Sequence, residues 1–159
     1  MAEFKTNVMR MLDKAKVNYK YYTYAETDAI SGLEVATVLK QNPLQVFKTL
    51  VTVGKSGQHY VFLIPVEKEL DLKKASHAVG EKSVDMLKSK ELLPLTGYIH
   101  GGCSPIGMKK FFKTTIDSSA KNFDTIIFSA GKIGYQVEMS LEELSKVIRF
   151  ELSEITFQD

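Results

Sequence analysis

The sequence contains no tryptophan, one cysteine and four prolines, and these scarcities narrow what the protein can be. A single cysteine excludes an internal disulfide and a zinc cage built from several thiolates, which suits a reducing compartment. No apolar run approaches the roughly 18 residues of a membrane-spanning helix. Residues 1–5 lack the charged and apolar regions of a secretory signal peptide. These absences predict a cytoplasmic protein without a membrane association.

The overall composition is that of one globular domain. The chain has 159 residues, of which 44% are hydrophobic and 25% are charged, and we expect a single domain over 1–159. The net charge is only +2 at neutral pH. Lysines cluster at Lys73–Lys74 and at Lys109–Lys110 with Lys113. A nucleic-acid partner is therefore permitted by the charge balance but not required by it.

Strand-like segments outnumber helical ones. Helical spacing and capping residues predict helices over about 4–16, 31–40, 71–80 and 141–148. Alternating or β-branched runs predict strands over 19–24, 46–53, 60–66, 98–100, 113–116, 125–128, 135–139 and 150–157. Asn42–Pro43 is typical of a further helix start, and residues 54–57 predict the turn of a β-hairpin. Without a regular strand–helix alternation, this order predicts a mixed α/β domain.

Lys48 is the most informative single position. It shares one face of the predicted strand with Val46 and Leu50. Since burying an unpaired ammonium group is costly, a lysine in a central apolar strand must reach a partner or a solvent-filled cleft. Alternatively, the strand lies at a sheet edge, where its lysine simply meets water. The pattern alone supports both interpretations equally.

The segment from Gly97 to Gly107 combines a glycine pair, a serine and a proline. With few bulky side chains at its centre, successive backbone N–H groups can face a carbonyl or phosphate oxygen of a ligand. Taken alone, such glycines are more often a tight surface turn. Gly131 and Gly134 have the spacing of a hairpin turn, which is too short for a phosphate-binding loop of the P-loop type.

Other catalytic patterns are weak. The sequence has no Gly-x-Ser-x-Gly elbow, and the pair His100 and Cys103 has no second pair that would complete a zinc site. Cys103 is a candidate nucleophile, although a small cysteine buried in a turn is the commoner case. We expect His77 on a solvated helix face and a structural role for the lone acid Asp117.

Several motifs nevertheless occur together in the order of a known family. Residues 46–50, 70–74, 96–107, 115–117 and 128–134 resemble the YbaK/EbsC family of free-standing aminoacyl-tRNA deacylases. This family is related to the editing domain of bacterial prolyl-tRNA synthetases. The resemblance implies a curled mixed sheet that forms a partly open barrel with surrounding helices. It is strongest to the branch that removes cysteine from mischarged proline tRNA.

The resemblance also implies a set of catalytic residues. The strand lysine of the family falls on Lys48, which would bind the terminal phosphate or ribose of the acceptor end or stabilise developing charge. The Gly-Gly-x-Ser-Pro loop falls on 101–105, where the amides of Gly101 and Gly102 would hold the ester carbonyl. The position of Cys103 varies in the family and is often aliphatic, which argues against a cysteine nucleophile.

Further residues are implied to bind the substrate. Tyr24 would order the cleft, Thr49 follows the strand lysine, and Ser104 with Pro105 would complete the loop. Gln136 departs from the family, because close relatives commonly carry an acid there. A role that needs a negative charge is therefore in doubt at this position, although an amide still donates and accepts hydrogen bonds.

The implied reaction needs no metal and no cofactor. An aminoacyl ester is already activated, and the thiol of the substrate cysteine would attack its own carbonyl and release a thiolactone. The alternatives are a deacylase for alanine or serine on tRNA, and an inactive module that binds tRNA or a synthetase. Because the chain is too short for an anticodon-reading domain, we expect prolyl-tRNA synthetase as a partner besides tRNA.

Overall fold

The computed structural model describes residues 5–29 and 31–158. Its helices are α1 (Asn7–Ala15), α2 (Gly32–Val38), α3 (Leu72–Val79), α4 (Ser89–Thr96) and α5 (Leu141–Ser145), with a 3-10 helix at Ser118–Asn122. Its strands are β1 (Lys20–Thr23), β2 (Phe47–Gly54), β3 (His59–Pro65), β4 (Val84–Met86), β5 (Lys113–Asp117), β6 (Ile126–Ser129), β7 (Tyr135–Met139) and β8 (Glu151–Ser153). The predicted mixed α/β class is confirmed.

The strands form two sheets. The larger has the order β4-β2-β3-β5-β8, in which β3, β5 and β8 run parallel and the remaining pairs are antiparallel. The smaller has the order β1-β7-β6 and is antiparallel throughout. One parallel bridge between Val46 and Ile127 joins the two sheets. Neither sheet closes on itself, so the partly open barrel of the prediction is not confirmed.

The β2–β3 hairpin separates two cores. Phe47 and Val51 point to the main core beneath α1, whereas Phe62 and Ile64 on the other face pack against α3. Six of the seven residues of β3 are buried, which explains its nearly continuous apolar sequence. Each fully buried large side chain of this kind stabilises the fold by about 1.5–3 kcal/mol.

The caps of α2 and α3 lie where the sequence predicts them, whereas α1 begins at Asn7, later than predicted. Thr6 accepts a hydrogen bond from the Met9 amide at the start of α1, and Asp71 accepts two amide hydrogen bonds at the start of α3. Ser31 and Glu34 form the reciprocal capping box of α2. Asp117 is structural as expected, because its buried carboxylate accepts from the amides of Ser119 and Ile155.

Several sequence predictions are wrong in detail. No strand occupies 98–100, because α4 ends at Thr96 with Gly97 as its C-cap, and a turn follows. Asn42–Pro43 begins a single turn rather than a helix, with the Asn42 side chain accepting from the Leu44 amide. The last strand is shorter than 150–157 and ends at Ser153, although Thr156 still bridges Leu70.

The first predicted helix began at about residue 4, which lies outside the described residues. The Ser140 hydroxyl caps α5 by accepting from the Glu143 amide, without the reciprocal bond of a full capping box, and α5 ends at Ser145 rather than near residue 148. Within 5–29 and 31–158, no helix has both the length and the apolar character that a membrane crossing requires.

A polar cluster at the hairpin turn generates a pH prediction. The Glu81 carboxylate accepts from the Ser56 amide, the Ser56 hydroxyl and the Tyr60 hydroxyl. The Ser56 hydrogen bond, followed by that of Tyr60, lowers the pKa of Glu81 below its ordinary value of 4.5. Because the folded state has the lower pKa, this stabilisation is present above pH 4.5 and is lost as the pH falls through the folded value.

We therefore expect Glu81→Gln to lower the melting temperature at neutral pH, and the difference from the parent protein to shrink in acid. Thermal melts at a series of pH values measure this. Glu151→Gln, on an exposed residue of the edge strand β8, is the control and should change little. A Glu81→Gln deficit that is constant with pH would show that the carboxylate charge is not responsible.

Candidate active site

A cleft of about 350 Å³ lies where the two sheets meet. Its lining comes from the first half of β2, the start of α2 and the turn after α4. The end of β6 and the start of β7 also contribute to it. The residues that line the cleft include Tyr24, Lys48, Thr49, Glu69, His100, Gly101, Cys103, Ser129 and Gln136.

Lys48 lies on a strand that is interior in the sheet but open at this end. Strand β3 pairs with β2 along its whole length, and Lys48 lies opposite Ile64. On the other side, β4 pairs only with Thr52–Gly54. Between the Val46–Ile127 bridge and the start of the β4 pairing, residues 47–50 are therefore paired on the β3 side only, and they line the cleft. The sequence allowed either an edge strand or a strand whose lysine reaches a cleft. Each interpretation holds in part, because Lys48 lies where β2 is paired on one side only and also lines the cleft.

The Lys48 ammonium group has no carboxylate within ion-pair distance among the described residues. Its side chain is partly exposed, and the acid that shares the cleft with it is Glu69. An unpaired cation on a cleft wall is a suitable partner for a phosphate or for a developing oxyanion.

The turn after α4 fixes the glycine pair. The amide of Gly102 donates to the Ile99 carbonyl at 3.0 Å, which closes a β-turn with His100 and Gly101 at its corners. Gly101 has a φ of +88°, a left-handed conformation that the third residue of such a turn requires. In the described part of the chain, the amides of Gly101 and Cys103 have no acceptor, and both residues line the cleft.

Gly102 has a different role from the one that the sequence suggests. Its amide is already used within the turn, and a Cβ at this position would lie 3.1 Å from the Ile133 backbone nitrogen. The absence of a side chain thus lets the turn pack directly on the 131–134 loop. Among the described residues, Gly102 is a contact between two loops rather than part of the cleft wall.

Ser104 and Pro105 are buried and do not form part of the cleft wall. The Ser104 hydroxyl oxygen accepts from the Ile106 amide at 3.2 Å. The Tyr98 hydroxyl donates to the Ile106 carbonyl, which ties the start of the loop to its end. These contacts hold the loop from behind and do not offer Ser104 to a ligand.

Tyr24 and Gln136 also line the cleft. Tyr24 is buried and its amide donates to the Gly134 carbonyl, which positions it beside the start of β7. The Gln136 carbonyl oxygen accepts from the Gln41 side chain at 2.8 Å. The Thr49 hydroxyl is buried without a partner in the described residues. Thr49 thus lines the cleft and carries a hydroxyl whose hydrogen-bonding capacity is unused within the described part of the chain.

Cys103 lines the cleft but is poorly suited to nucleophilic attack. Burial raises the pKa of its thiol to about 12, so it stays protonated at neutral pH. His100 is exposed beside it. In the part of the chain that the structure describes, no group of three His, Cys, Asp or Glu side chains is placed to hold a metal ion.

Two polar residues that line the cleft were not predicted from the sequence. Glu69, from the connection between β3 and α3, and Ser129, which faces Gln136 across the β6–β7 pair, carry no local signature. Ser129 does lie in the 128–134 segment that carried the family resemblance. Glu69 immediately precedes segment 70–74, which also carried the resemblance. Its position in the cleft lining results from the fold and not from a sequence motif.

Comparison with known proteins identifies the class. The family model of the aminoacyl-tRNA editing domain matches residues 27–147, and the chain belongs to this family. It is 46% identical to the Enterococcus faecalis protein named "Putative Cys-tRNA(Pro)/Cys-tRNA(Cys) deacylase EbsC", over 98% of this chain and 95% of that protein. The resemblance that the motifs indicated is thereby confirmed.

Two more distant similarities concern proline-tRNA enzymes. The chain is 26% identical to the proline–tRNA ligase of Lactobacillus gasseri, over 66% of this chain and 18% of the ligase. Its fold matches the crystal structure of "a putative trans-editing enzyme for prolyl tRNA synthetase" with a TM-score of 0.80 and 22% identity. That match covers 98% of this chain and all of the other.

The buried thiol generates a prediction about its reactivity. We expect native Cys103 to react with iodoacetamide at neutral pH at least about 100-fold more slowly than in the unfolded chain, because the thiolate is scarce and the sulfur is buried. Since the sequence has one cysteine, mass spectrometry of the intact protein measures the rate directly. Equal rates in buffer and in denaturant would contradict the burial and restore Cys103 as a candidate nucleophile.

Proposed function

We propose that the protein is an aminoacyl-tRNA deacylase that removes cysteine from mischarged proline tRNA. The observation that carries the proposal is the pairing of an unpartnered cation, Lys48, with the acceptor-free amides of Gly101 and Cys103 in one cleft. This arrangement suits an ester carbonyl next to a nucleotide. The names of the relatives, one a deacylase and one a trans-editing enzyme, support the same reaction.

The reaction asks little of the protein beyond positioning. An aminoacyl ester is an activated acyl group, and oriented binding with stabilisation of the oxyanion supplies much of the rate enhancement. In this proposal the amides of Gly101 and Cys103 hold the carbonyl oxygen. Gly102 contributes by letting the turn pack on the 131–134 loop, since its own amide donates to Ile99.

The nucleophile in this proposal is the thiol of the substrate. Its sulfur bonds to the carbonyl carbon, the bond from that carbon to the ribose oxygen breaks, and a cyclic thiolactone leaves the free tRNA. The protonated state of Cys103, a consequence of its burial, supports a nucleophile that the protein does not provide. The same geometry would accommodate a water molecule if the substrate lacked a thiol.

The remaining cleft residues recognise the substrate. Lys48 binds the terminal phosphate or ribose, and the unpaired Thr49 hydroxyl donates to or accepts from the aminoacyl group. Tyr24 and Gln136 line the same cleft as these groups. Gln136 stays neutral and is held by Gln41, so its contribution is a hydrogen bond rather than a charge. Ser104 and Pro105 support the loop from behind.

We further propose prolyl-tRNA synthetase as a partner that supplies the choice of tRNA. The similarity of this chain to proline–tRNA ligases covers only 17–18% of the ligases' length. A protein that binds chiefly the acceptor end has few contacts with which to distinguish one tRNA from another.

The decisive experiment compares the deacylation of Cys-tRNA(Pro), Ala-tRNA(Pro) and Pro-tRNA(Pro) by the purified protein. Selective loss of cysteine is the expected result, and alkylating the substrate thiol should abolish it. Undiminished turnover of the alkylated ester would contradict cyclisation and indicate an activated water. Selective loss of alanine would keep the reaction but change the substrate. No turnover of any ester would favour an inactive binding module. The replacement of the family's acid by Gln136 would then be a candidate cause of the lost activity.

We expect Lys48→Ala to lower the single-turnover rate on Cys-tRNA(Pro) by about 100-fold, since it removes the cation that faces the reacting group. Its melting temperature should stay close to that of the parent, because Lys48 is partly exposed and makes no ion pair among the described residues. Lys55→Ala, in the exposed turn after β2, is the matched control. Equal activity of the two variants, or unfolding of Lys48→Ala, would refute the assignment.

A further inference from the structure

The turn that carries the glycine pair also presents a histidine to the cleft. His100 occupies the first corner of the β-turn that the Gly102 amide closes on Ile99. It lines the cleft, is exposed, and has no hydrogen-bond partner among the described residues. Gly101, whose amide has no acceptor, follows it directly in the chain. A group at this corner is therefore held next to the site assigned to the carbonyl oxygen.

We infer that His100 is a catalytic residue that moves a proton from the substrate thiol to the departing ribose oxygen. The inference rests on the proposed function, because that reaction must remove one proton and deliver another. The thiol proton passes to an imidazole nitrogen as sulfur bonds to the carbonyl carbon. The oxyanion then re-forms its double bond, the ester bond to ribose breaks, and the ribose oxygen takes the proton from the imidazolium. The products are the thiolactone and free tRNA, and no other reactant is needed.

Other titratable groups of the cleft fit this role less well. They are Tyr24 and Lys48 on the strand side, Glu69 before α3, and Cys103 on the same loop. Amines and phenols as classes hold their protons at neutral pH, and carboxylates accept them only weakly. The Cys103 thiol is kept protonated by burial. Imidazole is the side chain that both accepts and returns a proton near neutral pH.

The test is a pair of glutamine variants. His100→Gln keeps a side chain of similar size that cannot shuttle a proton, and His77→Gln alters an exposed histidine of α3 as the control. Single-turnover deacylation of Cys-tRNA(Pro) is measured at saturating protein over about pH 5.5 to 8.5. We expect His100→Gln to lower the maximal rate near neutral pH by about 100-fold. His77→Gln should match the parent protein.

The pH profile separates catalysis from mere contact. The substrate thiol titrates with every variant, so the informative quantity is the difference between profiles. We expect the parent profile to contain a limb that is missing from His100→Gln, and added imidazole to restore part of the rate of His100→Ala. An unchanged rate and profile would overturn the inference.

A weaker apparent affinity with an unchanged maximal rate and a shallower salt dependence would also overturn it, because His100 would then be a phosphate contact. In both cases the parent protein still deacylates its substrate. Failure of the proposed function itself would be recognised differently, as the absence of turnover by the parent protein on all three esters.

Discussion

The pairing of β2 with β3 is the constraint on which the rest of the structure depends. It extends from Phe47 opposite Pro65 to Val53 opposite His59. Because side chains alternate along this pair, a slip of one residue would exchange the two cores and turn Lys48 from its present face. The short partner β4 pairs only with the far end of β2. The cleft lies along residues 46–50 of the chain, before the β4 pairing begins and next to the bridge between Val46 and Ile127.

The sequence predicts the parts of the fold that have local causes. The hairpin, the capped starts of α2 and α3 and the strand of Lys48 follow from alternation, turn residues and hydrogen-bonding side chains. Strand β4 was not predicted, since its three residues are held by pairing with β2 rather than by their own pattern. Helix α4 was not predicted either, because Pro94 lies inside it and Lys88, which precedes its first residue, provides no side-chain cap.

In the candidate site, too, some roles follow from the local sequence and others depend on long-range contacts. Lys48, Tyr24, Gly101 and Gln136 were expected to share a site, and the fold brings them to one cleft. Ser104 was expected to meet the substrate but instead accepts a hydrogen bond within its own loop. The role of Gly102 depends on its packing against Ile133, about thirty positions later in the chain. A local sequence pattern cannot predict a contact between residues so far apart in the sequence. Neighbouring residues of one motif thus have different roles: Gly101 lines the cleft, and Gly102 lets two loops pack together.

The parallel placement of β8 has a consequence for how the chain reaches this state. Ile155 is fully buried in the core beside α3, its amide is held by Asp117, and Thr156 bridges Leu70. The core beside α3 is therefore complete only when β8 and the residues after it have packed against β5 and α3. Until then β5 has an unpaired edge, and unpaired edges invite association with other strands. A chain in which β8 is not yet paired would thus offer β5 to any chaperone that binds extended segments.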